Sequence, residues 1–298
     1  MPVSIPQHCT LCPRQCGADR THFAGCCGAG PVLKVARAAL HHWEEPCLSG
    51  TRGSGTVFFS GCSLKCCYCQ NYPISAEGLG KEITAGRLAE IFLELQQQGA
   101  HNINLVTATQ WLPWVVEALE LARQKGLCLP IVYNTGGYET VETVSMLKDH
   151  VDIWLADMKY VSPALSGDLS AAPDYYEVCE KAIAAMIRQC PRPVFDSEGI
   201  LQKGVILRHL ALPGHVDDSL AVLDRMARLP KGSFIPSLMS QYTPFYKAAE
   251  HGLGRRITTY EYRKVISRAI DLGLCDGFMQ EKSSAKEEYT PPFDLEGV

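Results

Sequence analysis

The chain has 298 residues, of which 46% are hydrophobic and 20% charged, and its formal net charge is −4. This is the composition of one large globular domain with or without a small appendage. It lacks the basic footprint of a nucleic-acid binder, and no apolar run is long enough to span a bilayer. Met1 to Pro6 has neither the basic nor the apolar part of a signal peptide, so the expected location is the cytoplasm.

The first 50 residues are rich in Cys, Gly and Pro and read as a small metal-stapled module. Val32 to His42 follows as an extended stretch. After Ser54-Gly55 the pattern changes to alternating strands and helices. Strands are predicted at 56–59, 102–107, 131–134, 152–156, 205–211 and 233–238. The helices between and after them are predicted at 84–98, 111–125, 139–149, 174–189, 217–227 and 259–272. Leu88, Ile91, Phe92 and Leu95 illustrate the helical spacing of apolar positions. Six βα units imply a parallel sheet covered by helices. Six are too few for a closed eight-fold barrel and fit a partial (β/α)6 barrel, with the chemistry at the C-terminal strand ends. The divisions expected are a Cys-rich segment 1–50, a barrel 51–282 and a tail 283–298.

Cysteine is the compositional outlier, with 14 in the chain. A disulfide framework is unexpected in a reducing cytosol, and clustering of this kind points to metal ligation. Ten lie before Gln70: Cys9, Cys12, Cys16, Cys26, Cys27, Cys47, Cys62, Cys66, Cys67 and Cys69. Cys128, Cys179, Cys190 and Cys275 are scattered and read as small buried hydrophobes.

The densest segment is Gly61-Cys62-Ser63-Leu64-Lys65-Cys66-Cys67-Tyr68-Cys69-Gln70-Asn71, directly after the first predicted strand. Cys62, Cys66 and Cys69 can converge on one [4Fe-4S] cubane. Ferredoxin-type clusters use four protein thiolates, so three leave one iron open. That iron can chelate the methionine part of S-adenosylmethionine (SAM), and an aromatic residue such as Tyr68 can pack against the adenine. Zinc sites instead pair knuckles from separated segments. Cys67 is too close to Cys69 to serve a separate iron and reads as a bystander.

The segment GCSLKCCYCQNYPIS resembles radical SAM proteins related to pyruvate formate-lyase activating enzyme. So do CTLCPRQCGADR, GAHNINLVTATQWLP, LPIVYNTGGYE, DIWLADMKY, LRHLALPGH, SLMSQYTP and the closing GFMQ, so that the resemblance spans nearly the whole chain. It implies reductive cleavage of SAM to a 5′-deoxyadenosyl radical, an oxidoreductase of activating-enzyme type, and a reducing partner of flavodoxin or ferredoxin type. It also implies SAM contacts from successive strand ends: Thr107 and Thr109, Asn134 and Thr135, Asp157 and Lys159, Arg208 and His209. In the activating enzymes the residues matching Asp157 and Lys159 bind ribose, the SAM carboxylate or a monovalent cation. Bland alternatives stand beside these roles: an ion pair for Asp157 and Lys159, a turn at Asn134 to Gly137, a core histidine for His209. Where the family pattern has Thr-Pro-Thr-His, this chain has Thr107-Ala108-Thr109-Gln110, which removes any role for a histidine there.

Cys9, Cys12, Cys16 and Cys27 form a second candidate set, for zinc or for another iron–sulfur cluster, with Cys26 able to replace Cys27. His41 to Cys47, HHWEEPC, reads either as a substrate contact at the barrel mouth or as a plain connector. Three functions compete. One is activation of a glycyl-radical enzyme by hydrogen abstraction from a protein substrate. Another is the same radical chemistry on a different peptide or a small metabolite; the absence of a ferredoxin-like insert after Asn71 favours it. The third is a non-enzymatic electron-transfer or metal-binding protein, which gives no reason for SAM-pocket motifs on later strands.

Overall fold

The computed structural model describes residues 3–279 and 291–298. Of the features singled out above, Met1, Pro2, Gln280 and the tail residues 283–290 lie outside the described residues. The first regular element is β1 (Leu33–His41), followed by the one-turn helix α1 (Pro46–Ser49) and β2 (Ser54–Phe59). After the cysteine loop come α2 (Tyr72–Ser75), β3 (Lys81–Ile83), α3 (Ala85–Gln97), β4 (Ile103–Val106) and α4 (Leu112–Gln124). The middle holds β5 (Ile131–Thr135), α5 (Val141–Met146), β6 (Ile153–Asp157), α6 (Pro163–Ser170) and α7 (Tyr175–Gln189). β7 (Val194–Phe195), β8 (Leu201–Leu210), α8 (Val216–Met226), β9 (Ile235–Met239), α9 (Thr259–Asp271) and β10 (Phe278–Met279) complete the order.

All six predicted strands and all six predicted helices form, with ends displaced by a few residues. The sheet runs β10-β9-β8-β6-β5-β4-β2-β1-β3. The strands from β2 to β10 along this path pair in parallel, whereas β1 pairs antiparallel with both β2 and β3. The expected partial (β/α)6 barrel is therefore present, extended by an antiparallel edge at one end and a two-residue parallel strand at the other. The stretch read only as extended, Val32 to His42, is β1. Its register slips between Val35 and Arg37, which breaks the alternation that marks a strand in sequence.

The helices start where local chemistry lets them. Thr84, Thr140 and Ser162 each accept a hydrogen bond from the backbone N–H three residues on, and Thr258 with Glu261 makes a full capping box. Each cap contributes about 1 kcal/mol. The apolar faces of the long helices then cover the outside of the sheet. Inside the barrel, alternate strand residues point to the lumen. Val132, Ile153, Leu155, Ile206 and Ile235 pack there in one apolar layer, and Cys47 and Leu48 of α1 plug it from the N-terminal end of the strands.

The last described residues return to the sheet edge. Ala38 N–H donates to Glu296 O at 2.9 Å and Leu295 N–H to Ala36 O at 3.2 Å. Arg37 pairs with Asp294 at 2.6 Å and with Glu296. Phe293 packs edge-on against Phe58 at 5.6 Å. Among the described residues no helix is long and apolar enough to cross a membrane.

Candidate active site

The cysteine loop leaves β2 through Gly61, whose φ of +82° suits a residue without a side chain. A Cβ there would lie 2.5 Å from Cys27 O. The same carbonyl accepts the Cys62 N–H at 3.0 Å. Gln110 Nε2 reaches Ser60 O at 3.0 Å and Gly61 O at 2.8 Å, and Trp111 Nε1 donates to Ser60 O at 2.8 Å. The glutamine that departs from the family pattern is thus a buried anchor for the start of the loop. Arg20, fully buried, holds Gln110 in turn: it donates to Gln110 O at 2.5 Å and stacks over Trp111 and Trp114 at 5.0 and 5.1 Å.

Cys62, Cys66 and Cys69 all line one cavity, together with Leu64 and Tyr68. Cys66 Sγ lies 3.0 Å from Ser170 Oγ, and Ser75 Oγ donates to Cys69 Sγ at 3.3 Å. As bare thiols, Cys62 is pushed up to about 12 by burial and Cys69 to about 11 by burial and its neighbour Cys66. Binding a metal centre would therefore expel protons that the cavity otherwise retains. Among the described residues no three His, Cys, Asp or Glu side chains are drawn closely enough to share a single ion. Three thiols of one short loop on one cavity wall are a donor set of the kind that holds an iron–sulfur cluster. Cys67 faces the core instead, with its backbone tied to Leu169 and Lys247.

Above the apolar layer the lumen turns polar. Asp157 and Arg208 are register partners on β6 and β8. Arg208 Nε donates to Asp157 Oδ1 at 2.9 Å, and its terminal nitrogens reach Asn134 Oδ1 at 2.6 Å and Glu44 Oε2 at 3.3 Å. Lys159 Nζ donates to Asp157 Oδ2 at 2.5 Å. Glu44 also accepts from Asn104 and Asn134 at 3.1 and 3.2 Å. Burial works against ionising Asp157, but the Lys159 ammonium and the Arg208 guanidinium outweigh it and hold the carboxyl below its ordinary range. Burial pushes the Glu44 carboxyl up against the pull of Arg208. The HHWEEPC segment is therefore part of the cavity: His41, Trp43 and Glu44 line it. Burial, then His42 and Arg37, lower the His41 imidazole to about 4, so it is neutral at pH 7. No sequence signal placed Glu44 beside Arg208, because that meeting depends on where α1 enters the barrel.

The strand-end residues fall into two groups. Thr107, Asn134, Thr135, Asp157, Lys159 and Arg208 line the cavity. Thr109 and His209 do not, which corrects their placement in the SAM pocket. Thr109 Oγ1 donates to Glu139 Oε1 at 2.6 Å behind the strand, and His209 Nδ1 meets Met158 O at 2.8 Å on the outer face. Neighbouring strand residues point to opposite faces, so Arg208 inward requires His209 outward. Thr135 also gives its hydroxyl to Glu139 Oε1, at 2.5 Å. Burial raises the Glu139 carboxyl to about 7 against these two hydrogen bonds, and its Oε2 has no partner among the described residues. Tyr68 is buried and its hydroxyl shares a 2.5 Å hydrogen bond with Tyr160. Of the scattered cysteines, Cys179 and Cys190 are buried as expected. Cys128 and Cys275 are exposed, which corrects their reading as buried hydrophobes: both lie in loops outside the helix faces.

Comparison with known proteins bears on this arrangement. Residues 49–159, from α1 to Lys159, match a family described as a 4Fe-4S single cluster domain. A radical SAM methyltransferase from Sphaerobacter thermophilus superposes with a TM-score of 0.52 at 18% identity, covering 78% of this chain and 67% of that one. The match assigns residues 49–159 to a 4Fe-4S single cluster domain, and the superposition shows a fold shared with that methyltransferase. The chain is also similar to an uncharacterised protein of Methanocaldococcus jannaschii, 28% identical over 279 residues, 91% of this chain and 77% of that one. The pyruvate formate-lyase-activating enzyme of Clostridium pasteurianum is 31% identical over 128 residues, 41% of this chain and 52% of that protein.

Proposed function

We propose that the chain is a radical SAM enzyme, which holds a [4Fe-4S] cluster through Cys62, Cys66 and Cys69 and uses it to cleave SAM. The observation that carries this reading is the shared cavity. Three thiols of one loop face the polar ends of β5, β6 and β8 across it. When bound, the cluster supplies one electron to the sulfonium of SAM, the C5′–S bond opens, and a 5′-deoxyadenosyl radical can take a hydrogen atom from a substrate.

The chain's own residues then have separable tasks. Lys159 and Arg208 offer fixed positive charge that would suit a methionine carboxylate, and Asp157 keeps both cations in place. Thr107 and Asn134 offer a hydroxyl and an amide at neighbouring strand ends. Gly136 keeps the wall thin, since a Cβ there would lie 2.8 Å from Leu64 Cδ1. Tyr68, Leu64 and Tyr242 exclude water from the loop.

For the substrate we favour a protein or peptide, supported by the partial similarity to an activating enzyme and by the open side of the barrel. A small metabolite is the second reading. The Glu44–Arg208 network favours it, because it sets a polar floor of fixed charges within the lumen. The test is anaerobic reconstitution, dithionite reduction and addition of SAM. Formation of 5′-deoxyadenosine is expected; its absence with intact cluster spectra would refute both readings.

A further inference from the structure

The proposed function uses three cysteines and leaves the N-terminal group without a task. Residues 3–32 contain neither helix nor strand. Their backbone is folded into turns, with Cys9 N–H donating to Ala18 O, Gln15 N–H to Cys12 O, Gly17 N–H to Cys9 O and Gly28 N–H to Gly25 O, at 2.8–3.1 Å. Such a segment needs something to bury. Among residues 3–30 only Cys9, Cys12, Arg20, Gly25, Cys27 and Ala29 are buried, so half of its interior is cysteine and none of it is aliphatic beyond one alanine. A core of that kind cannot fix a fold by apolar burial, whereas a metal centre can.

The sulfurs are gathered around one place. A Cβ on Gly25 would lie 3.4 Å from both Cys16 Sγ and Cys27 Sγ. Cys27 is within electrostatic range of Cys9, Cys12 and Cys16. Cys27 is buried beside Cys16 and within reach of Cys9 and Cys12, and we take it as the fourth ligand; Cys26 is exposed, with its thiol hydrogen-bonded to Cys16. Four thiolates form a donor set that can hold an iron–sulfur cubane or zinc, and the backbone contact with the Cys62 loop favours the redox-active of the two.

We propose that Cys9, Cys12, Cys16 and Cys27 hold a second iron–sulfur cluster, through which an external one-electron donor feeds the SAM site. Its outer edge is solvent-facing, since Cys16 is exposed. Its inner edge is in backbone contact with the other loop, through Cys27 O and Cys62 N–H at 3.0 Å and through Arg14 Nε and Ser63 O at 2.9 Å. In each transfer the donor loses one electron and the second cluster gains it, then passes it on to the cluster at Cys62, Cys66 and Cys69; no bond or proton changes place. The site itself stands whether or not the SAM reading holds.

The experiment uses the full chain carrying Cys62→Ala, Cys66→Ala and Cys69→Ala, reconstituted anaerobically with ferrous iron and sulfide. About four irons per chain are expected, with an electron paramagnetic resonance signal on dithionite reduction. Zinc in place of iron, no metal at all, or an iron centre silent on reduction would overturn the proposal. If that variant does not fold, Cys9→Ser with Cys12→Ser in the otherwise intact chain decides. Iron falling from about eight to about four per chain is expected, and unchanged iron overturns it. Iron in the triple variant equal to that of the intact chain would instead remove the first cluster's ligands, not the second's.

Discussion

The two cysteine-rich segments, residues 9–27 and 62–69, use the same residue type to opposite ends. The later loop hangs from β2, a strand buried along its whole length, and its three thiols face a cavity built by other strands. The earlier segment has no strand beneath it, and two of its thiols, Cys16 and Cys27, flank Gly25. One loop is positioned by the fold and presents cysteine to a ligand. The other, on the proposal above, is positioned by its own cysteines, and it offers Cys27 O and the Arg14 side chain to its neighbour. The contrast teaches that spacing alone does not separate a working site from a scaffold; the element that supports the loop does.

That division can be broken by experiment. The largest expected effect is chemical: Cys62→Ala should reduce 5′-deoxyadenosine to background, measured by chromatography after reduction, while the folded barrel survives. Turnover at the normal rate would end the assignment of Cys62. Next is Asp157→Leu, which leaves Lys159 and Arg208 without their shared carboxylate. Breaking a buried pair costs about 3–5 kcal/mol, read as a lower midpoint in urea, and SAM binding by calorimetry should weaken as well.

Glu139 gives a pH-dependent test of similar size. Its carboxyl is held near 7 in the fold against an ordinary 4.5. Below about 4.5 it is protonated in both states. As pH rises from there to 7 the unfolded chain releases the proton and the folded chain keeps it, so stability falls with pH by about 3 kcal/mol and then levels. Glu139→Gln should flatten that slope in denaturation curves taken across the window; an unchanged slope would assign it to other groups.

Smaller effects sharpen the contrast. Gln110→His keeps one donor toward Ser60 O or Gly61 O and loses the other, so about 1 kcal/mol of stability should be lost, with cluster content retained. Cys26→Ala should change stability by less than about 0.5 kcal/mol and leave iron content alone. A loss of iron there would move the ligand from Cys27 to Cys26.

Much of this molecule was legible from the chain alone, for identifiable reasons. The six βα units announce themselves because buried parallel strands are short apolar runs and their helices repeat every 3.6 residues. α6 was not seen, since PALSGDLS buries Ser166 and Ser170 where an apolar face would be read. β3, β7 and β10 have only two or three residues, too few to show any period. At the site, the cysteine spacing is local and readable. His209 was misplaced because nearness to a strand end was used without strand phase, and Thr109 because the chain enters a 3-10 turn, Thr109–Trp111, just after β4. Glu44 and Arg20 meet partners 164 and 90 residues away, and such meetings are decided by packing.

The return of the final residues to β1 bears on how the protein behaves in concentrated solution. β3 covers β1 only from Leu33 to Val35, and beyond that the backbone groups of Ala36 and Ala38 are satisfied by Leu295 and Glu296. A Cβ on Gly297 would lie 2.0 Å from Ala38 O, so this closure is tight. Trimming these residues with a carboxypeptidase would bare an edge strand, and bare edges pair with other chains. The last turn of polypeptide thus serves as a guard against self-association, and light scattering after trimming would register its removal.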